Sequence, residues 1–541
     1  MTGRRLAQGV AGAAAMIAVL TLLARLAGFG RTLVFTNTVG AASTGDTYTA
    51  ANNVPNIVFE VVAGGALASL VVPMLAGGIA AEDRELVRRT ASALLGWTLL
   101  VLTPLAVAVA VFAEPIAGLL LGTGDEAKVA LAARLLVVFA PQVVLYGVGI
   151  VFAGVLQSHR RFAGPALAPL VSSVVVAAAY LAFAGSGGSR QVDGLSPPAE
   201  LVLGVGTTLG VVALSLSLLV PLRRLRLGLR PSLRFPVDAA PRVRRLAVAG
   251  VLTLAGQQLV AIVAIRLAND GAPEGTQVVY FAGMTLFLLP WSALAVPLAT
   301  SAYPGLAERA ERGDEEGFRR ALAPVAVLVV VSAAVAAAVL VAVSGPMARV
   351  FLGSGTDAAV AALRDTIIAF APGLVGYALV ALLTRALYAR GLWKAATVCV
   401  VGGWLVAVVG DLALVALLPA EDRAFALGAG HSIGVTVAGL GLLAVVARTG
   451  GRRTLTGVVR AGVPALVGAL LGAAAGLAVG RGLGADPVPP PGLVPAIGTG
   501  VLTGGTVLVV AAAVMMGAAR GPLTAALRAL RTPDRQEVHG D

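Results

Sequence analysis

The sequence predicts an all-α polytopic membrane protein: two six-helix lobes related by a parallel pseudo-repeat, followed by two extra C-terminal helices. Three observations predict it. Of 541 residues, 58% are apolar and only 12% are charged, about half the charge of a water-soluble domain. Fourteen apolar runs are long enough to cross a bilayer, which takes about 20 helical residues each. The 40 basic residues cluster in alternate loops between those runs. Together these exclude a soluble enzyme, a nucleic-acid-binding domain and a disordered scaffold.

The runs fall at 8–30, 54–79, 92–113, 131–155, 164–185, 200–221, 246–266, 278–302, 321–344, 366–388, 395–418, 424–447, 461–480 and 493–517. Arg25 interrupts the first run and no cleavage site closes it, so it reads as an uncleaved span. With a cytoplasmic N-terminus and an even number of spans, 30 of the 40 basic residues fall on inner segments, as the positive-inside rule requires. Both termini are then cytoplasmic. The net charge of +13 faces anionic membrane lipids on one side, and no nucleic acid is needed to explain it.

Catalytic chemistry is not expected. The two lysines, Lys128 and Lys394, stand in no phosphate-binding glycine loop. A single cysteine, Cys399, and three scattered histidines, His159, His431 and His539, offer no metal cluster and no nucleophile–base set. The expectation is a transporter without a cofactor, driven by the membrane potential or a monovalent-ion gradient.

An internal repeat appears at an offset of 231 residues. Pro73-Met-Leu-Ala76 and Pro304-Gly-Leu-Ala307 each lead, 15 residues after the proline, into an arginine pair, Arg88-Arg89 and Arg319-Arg320. Asp83 and Glu85 correspond to Asp314 and Glu316. An offset carrying an even number of spans makes the repeats parallel. The expected organisation is an N-lobe at 1–222, a basic cytoplasmic linker at 223–245, a C-lobe at 246–447, two further spans at 448–517 and a cytoplasmic amphipathic tail at 518–541. In span 13, Gly468, Gly472, Gly476 and Gly480 form a four-residue ladder, a helix-packing seam.

Charges inside spans are costly and mark cavities or partners. Arg25 and Arg31 flank Gly28-Phe29-Gly30 in the first span, about 120° apart on an ideal helix, and the glycines could bend them toward one cavity. A guanidinium fork suits phosphate, so these two are the leading candidates for an anionic-substrate cavity. The structural alternative pairs Arg25 with Glu60 or Asp46. Asp46 precedes span 2, whose start, Asn52-Asn53-Val54-Pro55-Asn56, is polar and proline-broken and is followed by Glu60; such breaks are tolerated where they line water or protein. Asp46, Asn52, Asn56 and Glu60 therefore join the substrate-binding candidates. Gln257 in span 7 and Arg385, Tyr388 and Arg390 at the end of span 10 are cavity or gate candidates. Asp411 in span 11 with Ser432 and Thr436 in span 12 are coupling-ion candidates.

The residues resemble one family. Ala24-Arg25-Leu-Ala-Gly28-Phe29-Gly-Arg31 is similar to the opening motif of the MurJ/MviN family of lipid II flippases. Gly45-Asp46-Thr-Tyr-Thr-Ala-Ala-Asn-Asn-Val-Pro55-Asn56, Arg160-Arg161-Phe162-Ala-Gly-Pro165-Ala-Leu-Ala-Pro169 and Ala386-Leu387-Tyr388-Ala389-Arg390-Gly391 resemble its later motifs in order. The resemblance implies the fold of the multidrug/oligosaccharidyl-lipid/polysaccharide exporter superfamily, two lobes around a cationic cavity, and a lipid-tail groove on spans 13–14. It implies that the chain flips lipid II, or a related undecaprenyl-pyrophosphate-linked sugar, across the bacterial plasma membrane by alternating access, in association with cell-wall synthesis proteins. Arg25, Arg31 and Asp46 stand at the family's first-span arginines and span 2 acid. The chain departs from the family at Phe59-Glu60, Met284-Thr285 and Leu392-Trp393, where many members carry basic or polar residues. The alternatives are a multidrug or capsule-polysaccharide exporter of the same fold, or a non-transporting cell-wall scaffold.

Overall fold

Two aspartates start equivalent helices. Asp83 accepts a hydrogen bond from the Leu86 N–H and caps Arg84–Val111; Asp314 accepts one from the Gly317 N–H and caps Glu315–Ala342. Both carboxylates satisfy free donors of a first turn. The two helices are 28 residues each, and both their ends match at the offset of 231 seen in the sequence. The computed structural model describes residues 2–61, 71, 74–75, 78–79, 81–122, 124–234, 240–353, 355–450, 456–485, 492–521 and 523–525.

The first of two compact units covers Met1–Val278. Its helices are α1 (Thr2–Thr38), α2 (Ser43–Val58), α3 (Arg84–Val111), α4 (Ala113–Leu121), α5 (Glu126–Ser158), α6 (Ala163–Gly185), α7 (Pro197–Ser217) and α8 (Ala240–Asn269). The second unit covers Val279–Asp541. It takes up α9 (Thr276–Pro290) after its first turn and holds α10 (Val296–Glu311), α11 (Glu315–Ala342), α12 (Ser344–Phe351), α13 (Asp357–Phe370), α14 (Gly373–Ala389), α15 (Trp393–Leu417), α16 (Arg423–Gly450), α17 (Thr456–Gly482) and α18 (Leu493–Ala518). No strand occurs among the described residues, so the all-α expectation stands.

Ten of the described helical stretches are long and apolar enough to cross a membrane, and the bent pair α13–α14 makes an eleventh. The remaining three of the fourteen expected spans fall on α1, on α2 and beyond it, and on α8. Among the described residues, length and apolarity thus account for up to eleven of the fourteen. The glycine turn at 64–66 and the tail from 526 lie outside the described residues.

The repeat extends to fine detail. The N-cap of α5 is Asp125, accepting from Lys128 N–H; the N-cap of α13 is Thr356, accepting from Ala359 N–H, again 231 residues on. Pro141 lies inside α5, and its counterpart Pro372 stands between α13 and α14. Helix α5 runs on through its proline, whereas α13 and α14 meet at 46°. A π-helical turn follows α2 at Phe59–Val61, and another follows α9 at Trp291–Ala295.

In the second unit, the glycine ladder is the seam between α17 and α18. A Cβ at Gly472 would lie 3.0 Å from the Val507 carbonyl, and one at Gly476 would lie 2.7 Å from the Ala342 side chain of α11. Any larger residue would force the helices apart. Outward from that seam, Leu466, Leu470, Val494, Val501 and Val509 are exposed, as expected of surface that faces lipid tails rather than water.

Candidate functional site

The polar cluster of the first unit draws on α1, α2, α5, α6 and α7. Helix α1 runs unbroken through Gly28 and Gly30, so the glycines do not bend it out of helical register. Arg25 and Arg31 accordingly meet different surroundings. Arg25 is exposed, while Arg31 is half-buried within electrostatic reach of the hydroxyls of Tyr48, Tyr146 and Tyr180. Neither arginine has an ion pair among the described residues. The expected structural pairing of Arg25 with Glu60 or Asp46 is therefore not formed.

Tyr48, Tyr180 and Thr207 form a closed hydroxyl chain. Thr207 donates to the Leu203 carbonyl at 2.7 Å. Its oxygen then accepts from the Tyr48 hydroxyl at 2.9 Å, which leaves the Tyr48 oxygen to accept from Tyr180 at 2.8 Å. All three residues are buried. Phe35 and Phe139 pack on these rings, and Phe59 packs on Tyr146 at 4.7 Å. Arg31 thus lies within electrostatic reach of a packed cluster of tyrosines, beside which Phe59, where the sequence departs from the family, packs on Tyr146.

Asp46 lies within the first turn of α2 rather than before the span, because α2 begins at Ser43, ahead of the apolar run. The carboxylate is buried and accepts the N–H groups of Gly275 at 2.6 Å and Val278 at 3.0 Å. These are otherwise free donors at the start of α9, so Asp46 caps that helix from a distant part of the chain. Gly275 has φ +88°, and a Cβ there would strike the Ala41 carbonyl. Asn53 and Asn56 donate to the Thr49 and Asn52 carbonyls of their own helix. Asn52, Asn56 and Glu60 are half-buried, as is Gln257 on α8.

In the second unit, Asp411 has no exposed surface, and neither of its oxygens has a hydrogen-bond partner among the described residues. Both ring nitrogens of His431 are likewise buried without a partner. His431 sits in an aromatic box, with Phe370, Trp404 and Phe287 at 5.5, 5.6 and 5.7 Å. The Tyr280 hydroxyl lies within electrostatic reach of Asp411. Buried polar groups almost always find partners, so a carboxylate and an imidazole that both lack one among the described residues are the most unusual polar features of this unit. His431 was absent from the sequence-derived site; the only signal for it was its place one residue before Ser432.

Ser432 is occupied otherwise. Its hydroxyl reaches the Ala369 and Phe370 carbonyls at 2.7 and 2.9 Å and accepts the Gly373 N–H at 3.2 Å. It therefore bridges the backbone at the bend between α13 and α14. The backbone of Thr436 packs tightly on Gly376. Arg390 grips Glu315 with two bonds of 2.8 and 2.9 Å, reaches Thr449 at 3.2 Å and covers the Phe318 ring. It clamps the ends of α11, α14 and α16. Arg385 donates to the Ala381 carbonyl, and Tyr388 is exposed. Arg385, Tyr388 and Arg390 share one helix end, but among the described residues only Arg390 of the three bonds to other helices. No group of three metal-binding side chains occurs among the described residues.

Comparison with known proteins places this arrangement. The family described as "Lipid II flippase MurJ" matches residues 35–479. A probable lipid II flippase MurJ of Rhizobium meliloti (strain 1021) is 28% identical over 299 residues, 54% of each chain. The lipid II flippase MurJ of Burkholderia cenocepacia is 24% identical over 439 residues, 78% of this chain and 81% of that one. The first of these alignments spans only about half the relative's length. Among solved structures, a lipid II flippase MurJ in an inward closed conformation superposes with a TM-score of 0.72 at 17% identity, over 93% of this chain and 99% of that one. An inward-facing multidrug transporter of the MATE family superposes at 0.63 and 15% identity, over 82% and 98%. At such identities these structures establish a shared fold.

Proposed function

The chain belongs to the lipid II flippase MurJ family, and from that premise we propose that it is a secondary transporter that moves lipid II from the inner to the outer leaflet of a bacterial plasma membrane. The observation that carries this reading is the family match over residues 35–479. It separates lipid II flipping from multidrug or polysaccharide export, whose proteins share the fold. Flipping makes and breaks no covalent bond, so an enzyme's nucleophile–base set is not called for. Both termini are cytoplasmic in this reading, which the charge bias of the loops supports.

In this reading Arg31 holds the pyrophosphate. It is half-buried, has no carboxylate partner among the described residues, and lies within electrostatic reach of the Tyr146 hydroxyl, whose proton the hydroxyl chain of Tyr180, Tyr48 and Thr207 does not use. Arg25 meets the anion on approach. Asn52, Asn56, Glu60 and Gln257 supply polar surface to the disaccharide-pentapeptide. The prenyl tail follows the exposed apolar face of α17 and α18. Drive comes from the membrane potential, worth about 2.3 kcal/mol per charge per 100 mV, or from a monovalent-cation gradient read by Asp411. Wall-synthesis proteins would collect the product.

Complementation of a flippase-depleted cell, read by leaflet accessibility of labelled lipid II, tests the proposal. Wild-type protein restores outer-leaflet lipid II, and the Arg25→Ala, Arg31→Ala double variant does not. Full rescue by the double variant would overturn the arginine assignment. Drug resistance restored without lipid II flipping would favour the exporter reading.

A further inference from the structure

The linker that follows α7 does not hang free. Its stretch Leu225–Arg234 is strapped to the start of α3. Ser232 N–H donates to the Ser92 carbonyl at 3.0 Å, Arg230 N–H to the Ser92 hydroxyl at 3.2 Å, and the Trp97 indole to the Leu233 carbonyl at 3.1 Å. Arg84 reaches the Leu225 carbonyl from the other end of the strap. Gly96 makes the close approach achievable, since a Cβ there would lie 2.1 Å from the Ser232 carbonyl.

Strap and helix enclose a groove of about 730 Å³. Arg88, Arg89, Arg230 and Arg234 line it against two carboxylates, Asp83 and Glu85. The carboxylates are already engaged. Asp83 caps α3, and Glu85 is held by Arg88 and Arg89. Arg230 and Arg234 are exposed, and neither has an ion pair among the described residues. The groove therefore offers two uncommitted guanidinium groups and the spare donors of two more, the chemistry that recognises a phosphate.

A second feature selects the source of that phosphate. The exposed side of α3 begins at the groove with Trp97 and continues through Leu100, Val101 and Val107 to Val111, all between 43% and 68% exposed. These positions recur at helical spacing on one face. An indole at the junction of a basic groove and an apolar stripe marks the headgroup level of a bilayer. Leu233, 53% exposed, adds an apolar contact from the strap. A soluble phosphate would use the arginines and leave the stripe unused; a phospholipid uses both.

We propose that this groove is a binding site for an anionic glycerophospholipid, with the headgroup phosphate between Arg230, Arg234 and the Arg88–Arg89 pair, and an acyl chain along the Trp97–Val101 face of α3. Bound lipid ties the linker to α3, so the site senses the composition of the leaflet it faces.

The test uses the purified full-length protein in detergent, with phosphatidylglycerol or phosphatidylcholine added and bound lipid counted by native mass spectrometry. Wild-type protein retains phosphatidylglycerol in preference to phosphatidylcholine. The Arg230→Gln, Arg234→Gln variant loses retention of phosphatidylglycerol by roughly 30-fold, taking about 1 kcal/mol per basic residue near a lipid surface. The Arg160→Gln, Arg161→Gln variant, altered in a different basic loop, binds as wild type. Should the double variant fail to fold, Arg234→Gln alone carries the same test, with a loss of about fivefold. Equal retention by a folded groove variant and wild type overturns the site. Glycerol 3-phosphate competing as strongly as phosphatidylglycerol, with no effect of Trp97→Ala, overturns the lipid source in favour of a soluble phosphate ligand.

Discussion

The two repeats differ most at positions that their shared register makes equivalent. At Pro141 and Pro372 both lose the same backbone donor. In the first unit the next residue is Gln142, fully buried and donating to Thr208 at 2.9 Å, and α5 continues. In the second unit the next residue is Gly373, and the helix turns by 46°. A Cβ at Gly373 would lie 2.7 Å from the Ser432 hydroxyl, the group that satisfies the broken backbone. One proline is absorbed and the other becomes a bend, because a serine on α16 can reach the backbone only where no side chain intervenes. A second equivalent pair lies deeper. Tyr180 closes a hydroxyl chain in the first unit, while Asp411, 231 residues on, is buried without a partner. The first unit has its buried polar groups tied down at this position; the second holds one in reserve. A carboxylate with no partner can take up a cation or a proton, which a satisfied tyrosine cannot.

The largest effect expected from that contrast is on transport. Asp411→Asn should leave the protein folded and at least as stable, since no hydrogen bond is lost and a neutral amide is cheaper to bury than a charge. Lipid II accessibility in the outer leaflet should nonetheless fall by about tenfold or more, the size of an effect worth about 1.4 kcal/mol. Wild-type flipping by Asp411→Asn would reduce the contrast to packing. Next comes the bend. Gly373→Ala should lower stability by about 2 kcal/mol through overpacking, read as a lower melting temperature in detergent; an unchanged melting point would mean that Ser432 is free to move. Ser432→Ala should cost about 1.5 kcal/mol, because the Gly373 N–H is left unpaired in a buried site. The smallest change belongs to the first unit. Tyr180→Phe should cost about 1 kcal/mol with flipping near the wild-type rate. A larger loss of transport than of stability there would show that the hydroxyl chain serves the substrate as well as the fold.

Much of this was legible in the chain itself. The 231-residue register was visible in loop motifs, and it reappears in caps and helix ends that no single motif revealed. Asp83 and Asp314 had been read only as loop acids; they are helix caps. The glycine ladder was readable as a seam because four-residue spacing puts small residues on one face whatever the partner is. Arg390 shows where such reading ends. As part of a motif it suggested a gate, yet its partners Glu315 and Thr449 lie 75 and 59 residues away, and nothing local announces them. Asp46 likewise looked like a cavity acid, and its bonds go to backbone groups about 230 residues further on, at Gly275 and Val278. His431 carried no motif at all; its box is assembled from Phe287, Phe370, Tyr377 and Trp404, rings on four helices.

The sequence by itself determined what depends on composition and spacing: an all-helical membrane protein, its alternating basic loops, its repeat and its family. Those properties follow from local periodicity and from the energy of moving each stretch into lipid, which neighbours in the chain largely set. Tertiary structure alone decided which polar groups are satisfied and which are left over. A hydrogen bond needs its partner within about 3 Å, and for Asp46, Tyr180, Arg390 and Ser432 that partner comes from a distant helix. Whether the same proline bends a helix, and whether a buried carboxylate stands alone, are settled by what packs against it.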